Sequence, residues 1–196
     1  MALFPCPLYH QIIRLEGKPM DVLTAIEKRR EITRFKPEPV PPDALDKLIR
    51  ALHLAPSGNN LPSREFVMVE NRETLLALAE TTPYMQWLRE AAGAAVIFAS
   101  PEVSKYWLQD ATIAGAFLWL AATSLGLGAA WGAVYHSEDA EESRRREDHV
   151  RRTLGIPDAY RIVAILGFGW PAADPAPKEP IPMERVFHRE RYGVRP

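Results

Sequence analysis

Apolar positions along the chain switch repeatedly between helical and extended spacing. Leu45, Leu48, Ile49 and Leu52 follow Asp43 at i, i+3, i+4 and i+7, one helix face, and predict a helix that stops at Pro56. Upstream, Asp21 is an N-cap candidate for a helix over Val22 to about Arg30, with Val22, Leu23 and Ile26 as its apolar face. Pro37, Pro39, Pro41 and Pro42 forbid regular helix between the two and predict an extended connector. Phe66-Val67-Met68-Val69-Glu70 reads as a strand bounded by Asn71-Arg72, with short helices over about 72–80 and 84–91 after it. Ala94 to Ala99 shows no polar alternation, as expected of a central strand covered on both faces. A helix over roughly 103–125, a strand from Ala130 to Tyr135, a charged surface helix from Asp139 to Thr153 closed by Gly155 and Pro157, and a strand from Arg161 to Phe168 follow. Beyond Pro171 the chain is Pro-rich and extended, apart from a turn of helix near Met183 to Phe187.

Helices and short strands thus alternate without repeats, which predicts an α/β or α+β fold in three layers. The expected division is an N-terminal extension over 1–20, one domain over 21–170 and an extended arm over 171–196. A chain of 196 residues with 47% hydrophobic and 25% charged positions is large enough for one well-filled core.

Residues 111–137 contain no Asp, Glu, Lys or Arg, and about 20 such residues could span a bilayer. The stretch is Ala- and Gly-rich, however, and Gly126-Leu127-Gly128 interrupts it with a helix-stop signal. A helix apolar on every side is equally what the centre of a layered domain demands, so no membrane partner is expected. A net charge of −1 supplies no basic field for nucleic acid. Cys6 is the single cysteine and has no intrachain partner, and the five histidines lack metal-ligand spacing. Met1 to Met20 has no basic n-region, and Phe4-Pro5-Cys6-Pro7 breaks its apolar run, so no signal peptide is expected and a cytoplasmic location fits.

Two segments could carry chemistry. Lys28-Arg29-Arg30 with Arg34 puts four cations in seven residues where a helix ends. They can be a solvated helix C-terminus, favoured by the dipole, or a clamp whose guanidinium forks match phosphate oxygens. Ala55-Pro56-Ser57-Gly58-Asn59-Asn60 can be an ordinary turn, or a loop whose N–H groups, hydroxyl and amides suit the polar edge of a flat heteroaromatic ring. Trp131-Gly132-Ala133 is a further turn whose small residues admit close approach of backbone to a ligand. Neither G-x-G-x-x-G after a strand nor a phosphate loop ending in Gly-Lys-Ser/Thr is present. Trp107, Phe117 and Trp119 are expected in the core, and Glu141-Glu142 with Arg144-Arg145-Arg146-Glu147 on an exposed, ion-paired helix face.

In order, Arg29-Arg30-x-x-x-Arg34-Phe35, Pro39-Val40, Ala55-Pro56-Ser57-x-x-Asn60, Gly126-Leu127-Gly128-Ala129-Ala130-Trp131 and Ile165-Leu166-Gly167-Phe168-Gly169-Trp170-Pro171 resemble the landmarks of the FMN-dependent nitroreductase family over about 21–190. The resemblance implies a mixed central sheet flanked by helices, in an intertwined homodimer with an FMN at each of two interfaces. It implies hydride transfer from NADH or NADPH through the flavin to a small-molecule acceptor such as a nitroaromatic or quinone. Arg29, Arg30 and Lys178 match positions near the FMN phosphate and pyrimidine. Pro56, Ser57, Gly58 and Asn60 match a loop supplied by the partner subunit. Gln86 and Arg89 match an amide and a cation beside the ring, and Gly132 and Ala133 the backbone approaching flavin N5. Four places depart from the family: Glu31 stands where Ser is usual, Thr33 where a basic residue is frequent, Leu61-Pro62-Ser63-Arg64 where Gln-Pro-Trp is common, and Pro180 at a frequent arginine position. An acidic residue like Glu31 also occurs in the branch that makes dimethylbenzimidazole from its own reduced FMN, which stands as an alternative, beside a non-catalytic anion- or partner-binding module.

Overall fold

A computed structural model describes residues 20–195; the N-terminal extension and Cys6 lie outside the described residues. Local signals start and stop the helices where charge and turn residues permit. The Asp21 carboxylate accepts the N–H groups of Leu23 and Thr24 at 3.0 and 3.1 Å and opens α1, Val22–Lys28. Pro42, whose missing N–H costs nothing in a first turn, begins α2, Pro42–Leu54. Asn71 caps α3, Arg72–Ala79, and Asp139 caps α5, Ala140–Leu154, which closes on Gly155 in the left-handed region at φ 70°. The segment predicted over 84–91 is a 3-10 helix, Pro83–Arg89. The helix predicted over roughly 103–125 is α4, Trp107–Ser124, starting four residues later than expected, because residues 101–106 turn. A single turn, α6, spans Met183–Val186.

Four strands, β1 Arg64–Val69, β2 Gly93–Ala99, β3 Gly128–Ala133 and β4 Arg161–Gly169, form one sheet in the order β1-β2-β4-β3. Every pairing between them is antiparallel. The mixed character implied by the resemblance is confined, among the described residues, to one parallel bridge between Glu31 and Ala129. β2 is buried along its whole length, as its unbroken apolar run predicted.

Both faces of the sheet are covered, which makes the three layers. Leu48 and Leu52 of α2 and Ala114 and Leu118 of α4 pack with Ile97 and Leu166 on one face. Leu75 and Leu78 of α3, Met85, Leu88 and Val150 of α5 pack with Val96 and Ile165 on the other. Gly115 lets α4 approach β3, since a Cβ there would meet the Trp131 ring. No helix among the described residues is long and apolar enough to cross a membrane.

Two expectations are corrected. The apolar face of α1 points outward: Val22, Leu23 and Ile26 are exposed, and Ala25 alone of that helix is buried. Phe117 is not a core residue but 41% exposed, on the same side of α4 as the exposed Ile113 one turn earlier. The apolar character of α1 and α4 therefore exceeds what the core of one chain consumes.

Candidate functional site

The α4 helix is the frame on which two of the predicted segments hang. In its first turn Asp110 is 3% exposed. Its Oδ1 accepts the Gly58 N–H at 2.9 Å and its Oδ2 the Ser63 hydroxyl at 2.6 Å. The middle of the loop carrying Pro56, Ser57, Gly58 and Asn60 and the residue that leads into β1 are so tied to one buried carboxylate. Within the loop the Ser57 hydroxyl donates to the Leu61 carbonyl at 2.8 Å, and Asn59 and Asn60 sit at φ 54° and 56°, a region asparagine tolerates better than most residues. Gly58 presses on Tyr106, where a Cβ would come within 2.6 Å of the ring. Arg64 donates to the Ala55 carbonyl across the base of the loop.

Nine residues further along α4, Trp119 organises the arginine pair. Its indole N–H donates to the Arg30 carbonyl at 3.1 Å, and the Arg29 guanidinium lies 4.6 Å from its ring centroid. At about 1.5 Å per residue, Asp110 and Trp119 stand about 13.5 Å apart along the helix axis. Loop and arginines of one chain are thus held at separate stations, with Ile113 and Phe117 exposed between them.

The two arginines divide their roles. Arg30 donates to the carbonyls of Ala176, Glu27 and Arg29 at 3.1, 2.7 and 2.9 Å, making it a strut between the end of α1 and the C-terminal arm. Arg29 lies over the Trp119 ring and makes no ion pair with a carboxylate among the described residues. A groove of about 410 Å³ lies beside Arg30, bounded by it with Glu31, Thr33 and Arg34 and by Asp174 to Ala176 of the arm. Glu31 and Thr33 are exposed in it, the Glu31 backbone is engaged with Ala129, and Lys178 is exposed two residues past Ala176. Arg34 is turned aside by a 3.0 Å ion pair with Glu90.

The third station is the open edge of β3. The Val134 N–H donates to the Val163 carbonyl at 3.1 Å and Ala133 stands opposite Ala164. Alternation in an antiparallel ladder then directs the Ala133 N–H away from β4, towards the outer edge. Ala129 is another outward position, and its carbonyl accepts the Ile32 N–H at 3.1 Å. About 13 Å of strand separates that contact from Ala133. Gly132 admits Met85, whose methyl would lie 2.9 Å from a Cβ, so the Pro83–Arg89 turn sits against the end of β3. In that turn Gln86 donates to the Ala79 carbonyl at 3.0 Å, and Arg89 donates to Gln86 at 2.7 Å and pairs with Glu80. Hydrogen bonds from Arg89 and Gln86 hold the Glu80 carboxyl below its usual range.

Sequence reasoning missed three residues here. Asp110 left one trace, as the last charge before the long uncharged run. Trp119 was expected merely to fill the core. Arg146 was expected on an exposed face, yet its side chain is only 14% exposed and donates to the Ala133 carbonyl at 3.2 Å. Among the described residues no cluster of metal-ligating side chains exists.

A guanidinium with no carboxylate partner, a groove beside the neighbouring Arg30, and an outward N–H at the far end of an edge strand fit a long, flat cofactor bearing a phosphate. The profile of the nitroreductase family matches residues 26–107 and 79–170. The chain belongs to the nitroreductase family. It is 33% identical over 92% of its length to a provisionally named NADH dehydrogenase/NAD(P)H nitroreductase of Methanothermobacter thermautotrophicus, covering 93% of that protein. It is 26% identical to an FMN reductase [NAD(P)H] of Bacillus subtilis, with 88% of this chain and 74% of the relative covered. Among solved nitroreductase-family structures, an FMN-dependent nitroreductase of Clostridium difficile superposes with a TM-score of 0.78 at 27% identity, over 87% of this chain and 99% of that one.

Proposed function

We propose that this nitroreductase-family chain is an FMN-dependent, NAD(P)H-driven reductase of small electron acceptors, a quinone or nitroaromatic by class, and that it works as a homodimer. The observation that carries the proposal is the outward Ala133 N–H on a free strand edge, in a chain whose relatives include a named FMN reductase. Bound FMN would take a hydride from NADH or NADPH and pass its electrons to the acceptor. Arg29 holds the phosphate, with Lys178 and the remaining donor of Arg30 beside it. Glu31 and Thr33 border the same groove, where the anionic Glu31 suits a ligand hydroxyl better than a phosphate. Gly132 and Ala133 present backbone to the ring, and Gln86 and Arg89 stand by as an amide and a cation.

Dimerisation follows from the separation along α4. Pro56, Ser57, Gly58 and Asn60, held at the other end of the helix from Arg29, serve the site of a second copy in this reading. The exposed Ile113 and Phe117 between the two stations, with Val22, Leu23 and Ile26 of α1, supply apolar surface for that contact.

The test is spectroscopic. Purified protein titrated with FMN is expected to bind one flavin per chain, to bleach anaerobically with NAD(P)H, and to reoxidise on adding a quinone after the nicotinamide is removed. Initial-rate lines should be parallel in double-reciprocal form, since two substrates sharing one place must alternate. A chain that binds no FMN at micromolar concentration refutes the proposal.

A further inference from the structure

Arg146 is held on two sides. Its Nη1 donates to the Ala133 carbonyl at 3.2 Å, and its Nε pairs with Glu142 Oε1 at 2.7 Å, one helical turn earlier on α5. Glu142 is itself anchored by Arg145 at 2.6 Å, and these hydrogen bonds, first from Arg145 and then from Arg146, keep its carboxyl ionised down to about 2. Arg145 in turn reaches the Thr81 carbonyl at 3.3 Å, so the chain of charges ends beside the turn that carries Gln86 and Arg89. A solvated ion-paired helix needs none of this reach. A guanidinium on a mostly covered side chain, seated on the terminal carbonyl of an edge strand, does two things. It engages the outward Ala133 carbonyl, to which no neighbouring strand donates, and it sets a positive charge at that end of β3.

We infer that Arg146 is a positioning residue for the redox site, anchoring the Ala133 carbonyl, and with it the end of the strand whose Ala133 N–H faces outward, and favouring the charge that reduction adds there. This inference rests on the FMN proposal above. A hydride brings two electrons and one proton, so the cofactor gains one negative charge until the acceptor removes the two electrons. A fixed cation nearby favours that state, while Glu142, as the compensating anion, opposes it.

The experiment measures the two-electron midpoint potential of protein-bound FMN in two variants. Arg146→Gln keeps reach and a donor to the carbonyl but loses the charge, and is expected to lower the preference for reduced FMN about tenfold, about 30 mV. Glu142→Gln removes the compensating anion and is expected to shift the potential in the opposite direction. Arg146→Lys, with its charge retained, should stay within half of the Arg146→Gln shift. A purely structural role would move both members of the ion pair alike or leave the potential unmoved, and either result overturns the inference. Should Arg146→Gln not fold, Glu142→Gln decides alone, because Glu142 is more exposed and an unmoved or lowered potential refutes the assignment. Failure of the native protein to bind FMN overturns both proposals; native binding with potentials that do not move overturns this one only.

Discussion

Asp110 and Gly58, fifty-two residues apart in the chain, are joined by a 2.9 Å hydrogen bond from the Gly58 N–H to the carboxylate, whose second oxygen takes the hydroxyl of the fully buried Ser63. A first-turn acid of α4, placed where the helix dipole favours a negative charge, thereby sets the shape of a loop that carries four candidate cofactor contacts. Bonds to a charged acceptor are worth about 1.5–3 kcal/mol each, and truncating Asp110 strands a buried hydroxyl as well.

Asp110→Ala is therefore expected to destabilise the fold by about 2–4 kcal/mol in urea unfolding, and Asp110→Asn by roughly half of that. FMN affinity should fall in Asp110→Asn even where the fold is retained. If the loop serves the partner's site, mixing Asp110→Asn with Arg29→Ala protomers should rebuild one native site per mixed dimer and recover binding that neither variant has alone. Mixed dimers as weak as the parents would place loop and arginine in the same chain.

Arg29→Ala should weaken FMN binding about 10–150-fold, the worth of one lost charge-assisted hydrogen bond to phosphate, read by fluorescence titration. Arg30→Ala is expected to differ in kind. Because Arg30 ties the Ala176 carbonyl to the end of α1, its loss should loosen the C-terminal arm and expose it to protease. Equal affinity in Arg29→Ala and the native protein would remove the phosphate assignment.

Sedimentation at micromolar concentration should give about twice the 22.1 kDa chain mass. Phe117→Asp, which puts a charge on the outward face of α4, is expected to yield monomer that has lost FMN while keeping its helical circular dichroism. A dimeric Phe117→Asp variant would move the interface to another face.

Acid should weaken the fold through α5. Burial raises the Glu147 carboxyl, but hydrogen bonds from Arg161, the Ile162 N–H and Ser143 outweigh it, so it sits below its usual range, as Glu142 does at about 2. Lowered carboxyl values mean stabilisation complete above the unfolded range near 4.5 and lost as pH falls from there towards about 2. The urea midpoint should accordingly decline below about pH 4.5. Glu147→Gln, which leaves Arg161 uncompensated, should cost about 2–4 kcal/mol at neutral pH and flatten that decline. A midpoint constant down to pH of about 3 would contradict it.

Much of this molecule was legible along the chain. Asp21, Asp139 and Gly155 mark helix ends by interactions that reach no further than four residues, and Ala94 to Ala99 declares a doubly covered strand by lacking polar positions. The order of motifs from Arg29 to Trp170 likewise placed the chain in its family without coordinates. What spacing could not supply was direction. Val22, Leu23 and Ile26 form an apolar stripe whether they face a core or a second subunit, since periodicity records that a face is apolar and not what covers it. Nor could two adjacent arginines reveal that one is a strut to Ala176, 146 residues away, and the other lies over the Trp119 ring. Asp110, Trp119 and Arg146 acquire their roles from contacts with Gly58, Arg30 and Ala133, made only when sheet and helices are stacked. Such pairings follow from the packing of whole layers, so they were decided by the tertiary structure, while the local elements were decided by the neighbours of each residue in the chain.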